Sequence, residues 1–319
     1  MTLYQDFDQE RIASGPHDVT PADQGAEDFV RTADFGDGWL HPRSSNYTFV
    51  VELTDGPRHG FGVYKPERGE APLWDFPSGL YRRECATYEL AKLLGWALVP
   101  PTVEREGEAG TGSLQLFVSS GDDSNFFTLK ESHRDQLFRM AVFDMLANNA
   151  DRKGGHCFLG PAGELLGVDH GLTFHIQNKL RTVIWDFAGS QIPDALLADI
   201  KALQTTLCTD AALTPRTPPT QPIVSPPPTA PLFTSFTAPT PPTQPTASTL
   251  PTPPLSPPTP TPPTPPTPSI PSALTTLTTL TALISQRELE ALRTRVETIL
   301  ADPTMPHPYS RHDIPYPPL

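Results

Sequence analysis

Two aspartates, Asp151 and Asp169, stand 18 residues apart in the stretch NNADRKGGHCFLGPAGELLGVDHGLTFH, residues 148–175. Between them, CFL and ELLGV read as two short strands joined by a tight turn over Gly160–Gly163. Such a hairpin brings both carboxylates to neighbouring loop mouths instead of burying them in a core. Two carboxylates held close repel each other unless a cation or a substrate separates them. The pair therefore marks a site without naming a reaction.

The elements around that pair follow from hydrophobic period and turn residues. From Tyr47 the pattern is that of strands: YTFVVEL and FGVYK flank TDGPRH, where Asp55-Gly56 is a turn dipeptide, so a hairpin with a rather long loop is expected. YRRECATYELAKLLG places Tyr81, Cys85, Tyr88, Ala91 and Leu94 at helical spacing, with Gly95 as the stop. SLQLFV (113–118) has the length of a buried strand. Ser132, with Asp135 three residues on, predicts an acidic variant of the capping box for a helix ending near Asn148. A further helix is expected from Pro193 to about Leu207. A last one starts at Ser285, answered by Glu288, with Leu289, Leu292, Val296 and Ile299 on one face. The preceding LTTLTTLTAL is Thr-rich and reads as an extension of low-complexity sequence.

Composition bounds the rest. Of 41 prolines, more than half fall between Thr214 and Ser272, in runs such as TPPLSPPTPTPPTPPTP. That tract has little to bury and reads as extended and disordered, either a spacer or a docking site for a proline-reading domain. The chain carries 23 basic and 36 acidic side chains; five of each lie beyond Thr214, so residues 1–214 hold the whole net charge of −13. An acidic domain of this kind is a poor partner for nucleic acid or an anionic membrane, although local basic pockets are compatible with it. No signal peptide and no apolar run of membrane-spanning length is evident, and Cys85, Cys157 and Cys208 lack zinc or disulfide spacing. A cytoplasmic protein without stable membrane insertion is expected.

Seven short motifs occur in one order: SSNYTFV (44–50), GVYKP (62–66), RRECATY (82–88), GWALVPPT (95–102), GSLQLFV (112–118), ADRKGGH (150–156) and GVDHGLTF (167–174). In these the chain resembles the phosphatidylinositol 3/4-kinase-like superfamily, most closely its type II phosphatidylinositol 4-kinase branch, and more distantly the HipA-type bacterial kinases. The resemblance covers about residues 40–210, with gaps. It implies an α+β, bilobal, protein-kinase-like fold: a loose extension over 1–40, an N-lobe over 41–118 and a C-lobe over 119–213. The disordered Thr/Pro-rich insertion would occupy 214–271, and residues 272–319 would return a helix to the C-lobe.

The resemblance also implies roles. Lys65 would hold the phosphates of ATP and pair with Glu84. Ser44, Ser45 and Asn46 would form a phosphate loop. Phe117 and Val118 would lie at the hinge beside adenine. Asp151 would orient the acceptor hydroxyl and take its proton, with Lys153 neutralising charge on the transferred group. Asp169 would ligate Mg²⁺. The family's second metal ligand, an asparagine, is replaced by His156, which suits Mn²⁺ better than Mg²⁺ or marks a weakened enzyme.

The implied activity is ATP-dependent phosphoryl transfer to a hydroxyl, lipid- or protein-kinase-like. The alternatives are a protein Ser/Thr kinase of HipA type and a nucleotide-binding pseudokinase acting as a scaffold. The acidic balance argues against a phosphoinositide acceptor, and the cysteine-rich palmitoylated segment of type II lipid kinases has no counterpart here.

Overall fold

A computed structural model describes residues 8–42, 44, 46–120, 124–210 and 273–319 of the chain. Ser45 and the Thr/Pro-rich tract expected over 214–271 lie outside the described residues. The expected loose extension is replaced by three elements: α1 (Gln9–Ser14), α2 (Ala26–Thr32) and β1 (Asp34–Leu40). Both helices are too short to show a period in a helical window. They are fixed by burial instead: Phe29 and Val30 are fully buried. Arg105 closes the end of α2 by donating to the carbonyls of Val30 and Ala33.

Next come β2 (Phe49–Asp55) and β3 (Arg58–Pro66). Their pairing runs to Asp55 opposite Arg58, so the connection is a two-residue turn and not the longer loop expected. Gly56 takes φ +58°, which a side chain would resist. Helix α3 (Leu80–Leu94) follows and stops at Gly95, whose φ is +67°. Strands β4 (Thr102–Gly107) and β5 (Gly110–Leu116) complete a five-stranded antiparallel sheet of order β1-β2-β3-β5-β4. The β4 segment, TVEREG, is too polar to announce itself; it is an edge strand with only Thr102 and Val103 well buried at its start.

The remaining described α-helices and strands are α4 (Phe126–Leu129), α5 (Arg134–Ala147), β6 (Cys157–Leu159), β7 (Leu165–Gly167), α6 (Asp194–Asp210), α7 (Ala273–Leu283) and α8 (Gln286–Ala301). The capping box expected at Ser132 and Asp135 does not form. His133 is the first flanking residue of α5, and Ser132 is drawn back to the carbonyl of Leu129 at the end of α4. The box at Ser285 and Glu288 does form, with Glu288 Oε2 accepting from the Ser285 amide at 2.8 Å. The Thr-rich segment before it is helix α7 rather than an extension of low complexity. Leu277 and Leu280 are buried where α7 packs on α3, and Thr278 and Thr279 return their hydroxyl protons to carbonyls one turn back. Packing supplies the helicity that propensity withholds.

The architecture is therefore mixed α/β, an antiparallel sheet against a helical layer. One core lies between the sheet and α2, built on Phe29, Val51, Leu53 and Leu114. A larger one gathers α3, α5, α6, α7 and α8 around Leu90, Phe143, Leu203 and Leu292. Helix α3 contacts β4 and β5 on one side and α5, α6 and α7 on the other, so it couples the two layers. No helix among the described residues is long and apolar enough to cross a membrane.

Candidate active site

A cleft of about 600 Å³ is lined by the end of β3, the N-terminal half of α3, the end of β5 and the loops on either side of β6 and β7. Lys65 reaches it from β3, where it lies opposite Ser113 of β5. Gly112 makes that approach close: a Cβ there would sit 2.4 Å from the Lys65 carbonyl oxygen. The Lys65 ammonium donates to Glu84 Oε1 at 2.5 Å and to Asp169 Oδ1 at 2.9 Å.

Glu84 is 4% exposed, one turn into α3. Its other oxygen, Oε2, accepts from the His170 amide at 2.8 Å. One buried carboxylate thus ties the sheet lysine to the segment after β7. Burial works against the Lys65 charge, but Asp169 and Glu84 outweigh it and hold its pKa above the ordinary value. Asp169 sits in the left-handed region, φ +59°, with half of its side chain exposed to the cleft. Lys65, more than any other group, holds its carboxyl far below the usual range.

Asp151 faces the same cleft from the loop after α5. Its amide is fixed by Asn149 Oδ1 at 3.0 Å, and its carboxylate meets Lys153 Nζ at 3.1 Å. Burial raises its pKa above the ordinary 3.8 despite Lys153. His156 also lines the cleft; its Nε2 lies 3.4 Å from Asp169 Oδ2. Burial lowers its pKa to about 4, so the ring is neutral near pH 7. The Lys153 amide reaches its Nδ1 at 3.5 Å, the outer limit of a hydrogen bond, which leaves the ring proton on Nε2 aimed at Asp169.

Ser44 and Asn46 stand at the rim, opposite Asp151 in sequence but in the same cleft. The Ser44 hydroxyl bonds that of Thr48 at 2.8 Å, and Asn46 Oδ1 accepts from the Ala71 amide at 2.8 Å. Val118 and Phe117 line the far end. The Phe117 ring stacks on His17 and meets Phe61 edge-on, while its amide donates to the Phe61 carbonyl. Phe117 and Val118 thus line the cleft, and the Phe117 ring is held from behind by His17 and Phe61. The cleft wall there is shared with Val50, Val63 and Leu116. The structure thus brings together Ser44, Asn46, Lys65, Glu84, Phe117, Val118, Asp151, Lys153, His156 and Asp169.

Three supporting residues escaped the sequence reading: Asp144, Arg152 and His170. Arg152 is fully buried, and its guanidinium is bidentate to Asp144 of α5. It also donates to the carbonyls of His156 and Val168 and, at 2.7 Å, to His170 Nε2. Because Arg can only donate, that ring nitrogen accepts, and burial keeps His170 neutral. Asn149 completes the set by donating to Asp144 Oδ1. This network locks the loops carrying Asp151 and Asp169 onto one helix. Its only sequence signal is an aspartate placed on the apolar side of α5.

Among the described residues no three His, Cys, Asp or Glu side chains are grouped to hold a metal unaided. Asp169 offers hard carboxylate oxygens toward the cleft, a donor that suits Mg²⁺ where substrate phosphates supply further oxygens.

No family model matches the sequence. Protein Rv2133c of Mycobacterium tuberculosis (strain ATCC 25618 / H37Rv) is 43% identical over 196 residues, covering 50% of this chain and 70% of that protein. Among solved structures, hydra Fam20 with sugar is matched at TM-score 0.44 and 11% identity over 86% of both chains. The Helicobacter pylori proinflammatory kinase CtkA is matched at TM-score 0.34 and 11% identity, over 56% of this chain and 86% of that one. At these values neither structural likeness bears on the chemistry.

Proposed function

This chain belongs to the family of Protein Rv2133c of Mycobacterium tuberculosis, and we propose that it is an ATP-dependent kinase transferring the γ-phosphoryl group to a hydroxyl. The observation that carries this reading is the Lys65 ammonium held between Glu84 and Asp169 in a cleft that Asp151 also lines. A lysine kept charged and extended by a buried carboxylate is a fixed anchor for nucleotide phosphates. The apolar far end of the cleft, Val50, Val63, Leu116 and Val118, suits a flat base.

On this reading Asp151 accepts the acceptor's hydroxyl proton. Its pKa, raised by burial, makes its carboxylate a stronger base than an ordinary one. Lys153 stands beside it to offset charge on the group in flight. Asp169 would hold Mg²⁺ or Mn²⁺, which supplies charge neutralisation at the phosphates when bound. His156, with Nε2–H toward Asp169, orients that carboxylate instead of ligating the ion itself. Ser44 and Asn46 close the phosphate end. The motif order favours the phosphatidylinositol 3/4-kinase-like branch over the HipA type, and the cytoplasm supplies the nucleotide.

The second reading is a nucleotide-binding scaffold without turnover, favoured by His156 in place of an amide ligand. Transfer of labelled γ-phosphate with Mg²⁺ and then Mn²⁺, compared between wild type and Asp151→Asn, separates the two. Label that moves to an acceptor and is lost in the variant supports the kinase. ATP binding with no transfer under either metal supports the scaffold.

A further inference from the structure

Between Lys65 and Glu84 the chain makes one excursion, EAPLWDFPSG at 70–79, which belongs to no strand or helix. Its first residue closes it. Glu70 Oε2 accepts from the Gly79 amide at 2.9 Å and Oε1 from the Tyr81 amide at 2.8 Å. One carboxylate thus draws the two ends together and satisfies amides at the start of α3, where Gly79 supplies no side-chain cap. The Ala71 amide fastens the segment to Asn46 Oδ1 at the cleft rim.

The middle of the segment reaches the opposite wall. Phe76 is buried in a group with Leu80, Ala150 and Leu172. Ala150 precedes Asp151, Leu172 follows Asp169 by three residues, and the Ala150 amide donates to the Leu172 carbonyl at 2.8 Å. Beside Phe76, Asp75 Oδ2 accepts from Lys179 Nζ at 2.6 Å, with the two side chains only 14% and 15% exposed. Lys179 holds the Asp75 carboxyl below its ordinary range, and Arg181 adds to the effect. The Lys179 ammonium also lies 5.5 Å from the Trp74 ring centre and 5.6 Å from that of Phe76. Its backbone is fixed in turn: the Lys179 amide donates at 2.9 Å to Asn148 Oδ1, on the residue that closes α5. A charge-assisted bond shielded in this way is worth more than an open surface pair.

We propose that segment 70–79 is a latch on the nucleotide cleft, with Asp75 and Lys179 as its positioning residues. The proposal rests on the phosphotransfer reading above. The Lys65–Asp169 contact joins the two walls in the structure described here, but phosphates compete for Lys65 and a cation for Asp169. That contact cannot hold the walls together in the loaded state. Asp75 and Lys179 are outside the cleft lining, so a bound nucleotide leaves their bond intact. The pair touches no substrate. It acts through Glu70 on the start of α3, which carries Glu84, and through Phe76 on the loop that carries Asp151. The two walls are thereby kept in register around the nucleotide.

The test is stopped-flow release of a ribose-labelled fluorescent ADP, bound with Mg²⁺ to the full chain and chased with unlabelled ATP, alongside thermal melts without nucleotide. Asp75→Asn and Lys179→Met should each release ADP ~10-fold faster than wild type, as loss of one charge-assisted contact provides. The double variant should be no faster than either single one, because both remove the same interaction. Lys179→Arg, which keeps the charge, should stay within ~2-fold of wild type. Lowered melting points with unchanged release rates would make the pair a fold-stabilising contact only and overturn the inference. Additive effects in the double variant overturn it as well. Should Lys179→Met fail to fold, Asp75→Asn against Lys179→Arg decides the matter. A wild type that binds no labelled ADP overturns the phosphotransfer reading and the latch with it, whereas one that binds and releases it as its variants do overturns the latch alone.

Discussion

At the residue scale, the proposed function rests on four side chains, Lys65, Glu84, Asp151 and Asp169, and each is held by a different device. Asp151→Asn keeps the shape and removes the proton acceptor, so transfer should fall ~10²–10⁴-fold with the KM for ATP little changed, as steady-state kinetics would show. Glu84→Gln should act otherwise, because it loosens both Lys65 and the His170 amide; it should weaken nucleotide affinity as well as turnover, visible in a nucleotide-binding titration. The buried imidazoles set a pH dependence of stability. His156 and His170 both have pKa values below the ordinary 6.5 because they are buried. As pH falls from about 6.5 toward 4 the unfolded chain takes up protons that the folded one refuses, so stability is present above that window and lost through it. Urea unfolding at pH 7 and pH 5 should show the drop, and His156→Asn should reduce it; an unchanged difference in that variant would remove His156 from the account.

At the element scale, α3 is the shared part of the machine. It carries Glu84 toward the cleft and packs against both the sheet and the helical layer. Its Arg83 donates to Glu288 of α8 at 2.5 Å, both side chains nearly buried. Arg83→Met alone strands a buried carboxylate and should cost about 3–5 kcal/mol of unfolding free energy. Arg83→Met/Glu288→Met should recover most of that loss, as paired denaturation curves would reveal. Much of this scale was legible beforehand. The hairpin bearing Lys65, helix α3 with its glycine stop, the β6–β7 hairpin and the Ser285 cap all announce themselves through period and turn chemistry. What was not legible lacks local signal. Helices α1 and α2 are two turns or fewer, β4 is a polar edge, and α7 is a threonine-rich helix made stable by what it packs on. The Arg152 network lacks a local pattern, since its four partners, Asp144, His156, Val168 and His170, come from α5, the loop after it and the sequence beyond β7.

At the scale of the whole molecule, residues 273–319 pack onto residues 8–210 through α7 on α3 and α8 on α5 and α6. A chain in which 215–267 is replaced by a Gly/Ser linker should therefore unfold within a few degrees of wild type and keep its phosphoryl transfer; thermal melts and the labelled-phosphate assay test both. Thiol labelling offers an independent check on packing. Cys85 and Cys157 are buried and Cys208 is exposed, so the native chain should react at one thiol quickly and at three only after denaturation. The Arg83–Glu288 pair has a further consequence in time. The two residues are 205 positions apart, beside the glutamate that holds Lys65. At ~5–20 residues per second, a ribosome needs roughly ten to forty seconds to cover that interval. Until α8 has emerged, α3 lacks its buried counter-ion, and the nascent chain should be unable to grip a nucleotide; arrest of translation before Glu288 would yield a ribosome-bound chain with every cleft residue present and no competence to bind.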